Sequence, residues 1–312
     1  MKGVCRAAQE RDPRYGGCVR IANDIAELLV TLDYGPRIIH YALAGEPNVF
    51  FVNRDPEYRK RGADFDKAFF PGAFWDIRGG NRLWVAPHSY PGAFYPDNGP
   101  VAWEPIDGGA RFTPALRSES GLLLSTEVRL RESSSQATIT HRVVNEGSES
   151  RKLAAWSITS LAPGGLELVP QPRRQSGVLP NRRLSLWPYT DIRDSRLTLG
   201  NRSLALQHDP KASAPIKIGL GNEDGLACYL NAGFLFVLGY AHEMDAEYAD
   251  FGSSYETFAD GRMVEMESMS PLTTVRPGGY VQHEENWRLS RCDKRLDPRD
   301  EAGILDLLDS LL

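Results

Sequence analysis

The segment IAELLVTLDYGPRIIHYAL, residues 25–43, decides the fold class. Two runs rich in β-branched and aromatic residues flank Asp33-Tyr34-Gly35-Pro36, a strong turn signal between strands, so a hairpin stands near the start of the chain. Outward from it the same grammar repeats. Residues 101–106, 110–115, 122–131, 136–145 and 152–161 are strand candidates bounded by Gly, Asn, Ser or Pro, with the spacing of a sandwich meander. After Pro163-Gly164-Gly165 comes a less regular region containing LWPYTDIRD (186–194), followed by short strands at 215–220, 226–230 and 233–240. Strand periodicity returns at 262–270 and 280–290. No helical period interrupts this order, which disfavours doubly wound α/β folds.

One helix is expected, at 298–311, with Asp297 as its N-cap, Pro298 in the first turn and Ile304, Leu307, Leu308 and Leu311 on one face. It packs onto the sandwich or serves a homodimer contact. With no internal repeat, linker or break in composition, the reading is one all-β domain over residues 1–312, its core at about 18–290.

Bulk composition agrees. In 312 residues there are 29 Gly and 21 Pro, and 12 Tyr, 12 Phe and 6 Trp accompany short apolar runs, the profile of a turn-rich all-β chain. The formal charge of -5 is mild and Lys/Arg occur only in small groups such as Arg59-Lys60-Arg61, which argues against nucleic acid as a partner. The apolar run GFLFVLGYA (233–241) is about half the length needed to cross a bilayer, and the amino-terminal MKGVCRAAQERDPRYGG has no apolar signal core, so neither a membrane nor export is expected and the localisation read is cytoplasmic. Cys5, Cys18, Cys228 and Cys292 form no C-x-x-C pair and are read as free structural thiols. Neither a metal nor a cofactor is expected.

Three places carry groups for chemistry. In RMVEMESMS (262–270), alternation puts Glu265 and Glu267 on one side of a strand with Met263 and Met269, and Val264 with Met266 on the other. Two carboxylates on one face are a solvated outer surface or a general base with a partner for sugar hydroxyls. In ATITHRVVN, His141 shares a side with Ala137, Ile139 and Val143, so it is a core histidine or one presented by a concave sheet face. The third is GGNRLWVAPHSYPGAFYPDN (79–98), broken by glycine and proline, which reads as a shaped loop. It interleaves Asn81, Arg82, Trp84 and His88, and Trp75-Asp76 stands just before it. Sugars present apolar C–H faces to aromatic rings and hydroxyls to polar groups, so this mixture suits them, while the six tryptophans are otherwise core residues.

The order of these motifs resembles the galactose mutarotase-like superfamily of aldose epimerases and their relatives, over most of residues 18–289. TLDYGPRIIHYAL resembles the start of that superfamily, and GGNRLWVAPHSYPGAFYPDN, LWPYTDIRD and YETFADGRMVEMESMSPLTTVRPGGYVQHEENWRL look closer still to an uncharacterised branch of it. The resemblance implies a β-supersandwich whose concave face binds a monosaccharide or sugar unit. It also implies anomer interconversion, in which a late-strand glutamate takes the proton of the anomeric hydroxyl and a histidine protonates the ring oxygen.

Carried over by position, Glu267 stands at the late-strand glutamate, Arg82 with Asn81 at the early-loop arginine, and His88 near the early-loop histidine. Trp75 and Trp84 would be platforms. The family's acid histidine belongs at the end of a middle strand, and LAAWSITSLAPGG (153–165) contains none. His88 or His141 then supplies the proton, or the reaction differs, or the chain is a sugar-binding or sensing protein without catalysis. A carboxylate pair, Glu265 with Glu267 or Glu267 with Asp76, is a further arrangement, suited to cleaving glycans.

Overall fold

The computed structural model describes residues 5–115 and 121–312. Among these, two antiparallel sheets carry nearly all the regular structure. The first sheet runs in the order Arg6–Asp12, Gly16–Ala22, Ala26–Thr31, Ile38–Leu43, Gly80–Ala86, Arg151–Leu161, Val264–Met269, Tyr255–Ala259, Ile216–Leu220 and Leu184–Leu186, with Thr273–Val275 pairing on Arg151–Leu161. The second centres on Phe234–Tyr240, Tyr280–Arg291, Ala137–Asn145 and Leu122–Leu130.

Residues from both sheets meet in one apolar core: Leu28, Tyr41 and Met266 from the first, Val128, Ile139, Phe236 and Trp287 from the second. The fold is an all-β sandwich. The 25–43 hairpin forms as read, as strands Ala26–Thr31 and Ile38–Leu43.

Strands that the sequence reading did not list are present as well, and physical reasons account for several of them. Arg6–Asp12 is a polar edge strand, mostly exposed, held by its ladder to Gly16–Ala22 rather than by an apolar face; residues 1–4 of that amino-terminal stretch lie outside the described residues. Leu166–Pro170 and Ser203–Gln207 are buried on both sides, so they show no alternation. The first half of the supposed loop 79–98 is also a strand, Gly80–Ala86. Its entry explains the Gly79-Gly80 pair: both have positive φ, and a Cβ there would lie 2.2 Å from the Phe51 carbonyl oxygen or 2.3 Å from that of Ile38.

A short helix, Ala63–Ala68, was not expected; the carboxyl-terminal one spans Glu301–Asp309. The cap of the latter is Asp300, whose side chain accepts from the Gly303 N–H, and not Asp297. Ile304, Leu307 and Leu308 pack on Leu166, Leu168 and Leu235 of the second sheet, so this face is spent within the chain.

A second apolar cluster lies on the outer face of the first sheet, turned away from the second sheet. There Trp84, Trp156, Ile158 and Met269 from the strands meet Phe65, Trp75 and Tyr248 from the excursions that cover the sheet. This roof turns an outer sheet face into an interior.

Candidate functional site

Register decides which side chains share that roofed face. Trp156 stands opposite both Trp84 and Met269, Ile158 opposite both Arg82 and Glu267, Ser160 opposite Glu265, and Glu256 opposite Glu267. Lys217 lies opposite Phe258 on the next strand and reaches across the sheet.

The Lys217 ammonium donates to both oxygens of Glu267, at 3.0 and 2.8 Å, and stands 2.8 Å from Glu256. It is held between the rings of Trp156 and Trp187, 4.7 and 4.8 Å from their centroids, where the ring faces favour a cation. Arg82 donates to Glu265 at 3.1 Å, and the Ser160 hydroxyl donates to the same oxygen at 3.0 Å. The Arg82 guanidinium lies over Trp75 and Trp84, 5.3 and 5.0 Å from their centroids. Glu256, Glu265, Glu267, Lys217 and Arg82 are all buried.

Burial governs the protonation of this cluster. Burial raises Glu267, against the pull of Lys217 and with help from Glu265. Burial raises Glu256 further, opposed by Lys217 and reinforced by Glu267. Lys217 is lowered by burial but held above its ordinary value by the two glutamates. Two carboxylates sharing one ammonium away from water are neutral as a trio only if they retain one proton between them. Hydrogen-bond geometry favours Glu256 as its seat, although Lys217 is 2.8 Å from an oxygen of each. Glu267 accepts two bonds from Lys217 as an anion would, whereas neither Glu256 oxygen accepts a well-aligned bond among the described residues.

Of the residues singled out in the sequence, Glu267, Glu265, Arg82, Trp75 and Trp84 come together here. His88 joins them at the rim. Its partly solvent-exposed side chain rests against Trp84, Phe94 and Trp156, and desolvation by these neighbours together with Lys217 lowers its pKa, so it is neutral near pH 7.

Three others are placed elsewhere. His141 lies between the sheets, its ring nitrogens 3.0 Å from the Thr126 hydroxyl and 3.2 Å from that of Ser157, on the opposite side of the first sheet from Glu267. Asn81 also points between the sheets, bonding Ser157 and Thr159 at 2.8 and 2.9 Å, because it is one residue out of phase with Arg82. Asp76 is tied to Arg59 and Arg78 at 3.0 and 3.1 Å, so it makes no pair with Glu267.

Lys217, Glu256, Trp156 and Trp187 were not read as site residues. A signal existed for Lys217: it is a lone cation in PIKIGL, where Ile216 and Ile218 are wholly apolar. Nothing local marks Glu256, whose meaning comes from lying opposite Glu267. The loop beyond it adds Asp250, whose charge acts on both Glu256 and His88. Asp250 and Phe251 both have positive φ, a costly conformation for side chains other than glycine, and Phe251 is 91% exposed.

An open cavity of about 510 Å³ shares Trp75 and Trp84 with this cluster but is lined by none of Glu256, Glu265, Glu267 or Lys217. Its walls are mainly apolar, with Leu83, Val85, Phe69 and Tyr95. Void volume therefore points beside the charged groups, and the candidate site rests on the side-chain chemistry instead. Among the described residues no group of three His, Cys, Asp or Glu is arranged to hold a metal ion, and no helix is long and apolar enough to cross a membrane.

Comparison with solved structures places this architecture. A galactose mutarotase-like protein from Lactobacillus casei ATCC 334 matches over 88% of this chain and 100% of its own, with 14% identity and a TM-score of 0.57. The fold is galactose mutarotase-like. A putative mutarotase from Salmonella typhimurium shares it over 92% of this chain and 94% of its own, at 10% identity and TM-score 0.55. So does a TPR-domain containing protein from Parabacteroides distasonis ATCC 8503, at 15% identity and TM-score 0.57, covering 91% of this chain but only 48% of that one. No protein-family model matches the sequence, and no curated protein does. At such identities the likeness describes the fold, on which site residues are free to differ.

Proposed function

We propose that the outer face of the first sheet binds a monosaccharide or a sugar unit and interconverts its anomers, with Glu267 as the base. The observation that supports this most is the position of Glu267. It is a carboxyl group on the tryptophan-lined face of a galactose mutarotase-like fold, with both oxygens accepting from Lys217, beside an Arg82–Glu265 pair. Trp75, Trp84 and Trp156 offer faces for the C–H side of a sugar ring, and charged groups offer partners for its hydroxyls. The buried indole N–H groups of Trp84 and Trp156 have no acceptor among the described residues, and ring hydroxyls would supply one. The reaction needs neither a metal nor a cofactor, only proton transfers at two oxygens bonded to one carbon.

The test is exchange spectroscopy between the α and β anomers of a panel of aldoses. The wild-type chain should accelerate exchange for at least one sugar, and Glu267→Gln should abolish most of it. Exchange no faster than in buffer for every sugar overturns the isomerase reading.

A second reading has its own support: the strand Arg151–Leu161 carries no histidine, and Lys217 occupies both oxygens of Glu267. These features suit a protein that binds sugar without turnover. Saturable binding by calorimetry with no anomer exchange selects that reading.

A further inference from the structure

We propose that Glu256 is the proton donor to the ring oxygen, forming with Glu267 a carboxylic acid–carboxylate couple that does the work of the missing histidine; this rests on the isomerase reading above. Glu256 and Glu267 are directly opposite on neighbouring strands, a placement that sets β-carbons about 4.5–5.5 Å apart. That spacing suits two groups that must act together on two oxygens of one anomeric carbon. Glu256 is 0% exposed, among the described residues both its oxygens lack a well-aligned hydrogen bond, and the cation it meets there, Lys217, is more fully engaged with Glu267.

The other candidates for the acid are weaker. His141 is on the wrong side of the sheet. His88 reaches the rim but is neutral near pH 7, and a neutral imidazole is a poor acid. Lys217 is held in its charged form by two carboxylates and gives up a proton reluctantly.

The proton balance closes. Incoming hydroxyls replace Lys217 on the carboxylates, its long stem allowing the ammonium to shift beneath Trp187. Glu267 takes the proton of the anomeric hydroxyl as that oxygen forms the carbonyl. The bond from C1 to the ring oxygen breaks, its electron pair goes to the ring oxygen, and that oxygen takes the proton of Glu256. After rotation about C1–C2 the flow reverses: Glu256 recovers its proton, the ring oxygen attacks C1, and Glu267 returns its proton to the carbonyl oxygen. Each cycle leaves one proton on the pair.

The experiment measures anomer exchange for a sugar that the wild-type chain turns over, with Glu256→Gln, Glu256→Asp and His88→Ala, alongside sugar affinity, melting temperature and a pH profile. Glu256→Gln should lower kcat by about 10²- to 10⁴-fold with affinity changed only a few-fold. Glu256→Asp should restore part of the rate, and His88→Ala should cost less than tenfold. The wild-type profile should be bell-shaped, both limbs belonging to the pair. The groups that tune them are Glu265, Arg82, Lys217, Asp250, His88 and Tyr189. In Glu256→Gln the alkaline limb should vanish and the acid limb should stay in place, since Glu256 is protonated and uncharged where Glu267 titrates, a pattern that a merely structural role would not produce. Wild-type rate and an unchanged profile in Glu256→Gln, with the loss falling on His88→Ala, overturn the assignment while leaving the isomerase reading intact. A wild-type chain without exchange on any sugar overturns both.

Discussion

The strand Val264–Met269 has two working faces and one sequence. Glu265 and Glu267 point outward, to Arg82, Lys217 and the tryptophans. Ser268, next in the chain, points inward, where its hydroxyl lies 2.6 Å from His283 and 2.5 Å from Glu285. Trp287 adds a bond to Glu285 at 2.9 Å, and Asn81, Ser157 and His141 continue the network. Both faces are buried and both hold acids. They differ in pairing: the inner network closes on hydroxyl, imidazole and indole partners, whereas the outer one holds a lysine between two carboxylates and, among the described residues, leaves the indole N–H groups of Trp84 and Trp156 without an acceptor. Burial of a polar group is therefore no guide to function by itself.

The largest expected effect separates the faces outright. Glu267→Gln should cut anomer exchange by about 10²- to 10⁴-fold, while Ser268→Ala should leave it within a few-fold. If the two results were exchanged, the assignment of faces would be reversed. Next, Lys217→Met leaves two carboxylates buried without their cation and should cost about 3–5 kcal/mol in urea unfolding. The loss should shrink at pH 5, where the carboxylates can both protonate.

The groups buried between the sheets set a pH signature of their own, Glu167, which accepts from Tyr255 and Thr257, among them. Burial pushes Glu167 and Glu285 up to about 7, so their stabilisation is complete below the ordinary 4.5 and is lost as pH rises through 7. Burial drops His141 and His283 to about 3, so theirs is complete above the ordinary 6.5 and is lost as pH falls toward 3. Between 4.5 and 6.5 the slopes of these four groups oppose each other and cancel, each displaced group contributing about 1.4 kcal/mol per unit. Unfolding free energy of the wild type and of Glu285→Gln, measured from pH 3 to 9, checks this: their difference should change by about 3 kcal/mol between pH 4.5 and 7, and a constant difference would break it. Ser268→Ala should cost about 1–3 kcal/mol by taking from His283 its hydroxyl partner and from Glu285 one of its donors. The smallest effect is far from both faces: Asp300→Ala, at the carboxyl-terminal helix cap, should cost about 1 kcal/mol and leave exchange untouched.

Much of this was legible locally. The alternation in RMVEMESMS placed Glu265 and Glu267 with Met269 and opposite Val264 and Met266, as found. The same rule applied to GGNRLW would have separated Asn81 from Arg82, but glycine and proline made the segment read as loop, where no alternation holds. Strands 166–170 and 203–207 escaped because burial on both sides erases the period of two. For His141 the local sequence makes a core position the default and leaves the cleft open, since its own strand presents apolar neighbours either way.

The sequence by itself determined the class of the fold and the face on which Glu267 lies, because both follow from interactions between residues close in the chain: turn chemistry and the period of a strand. Only the tertiary structure decided who shares that face. Lys217, Glu256 and Glu267 come from three strands, and Trp84, Trp156 and Trp187 from three further segments. Their meeting depends on strand order and cross-strand register, which arise from contacts distant in sequence and leave no local trace.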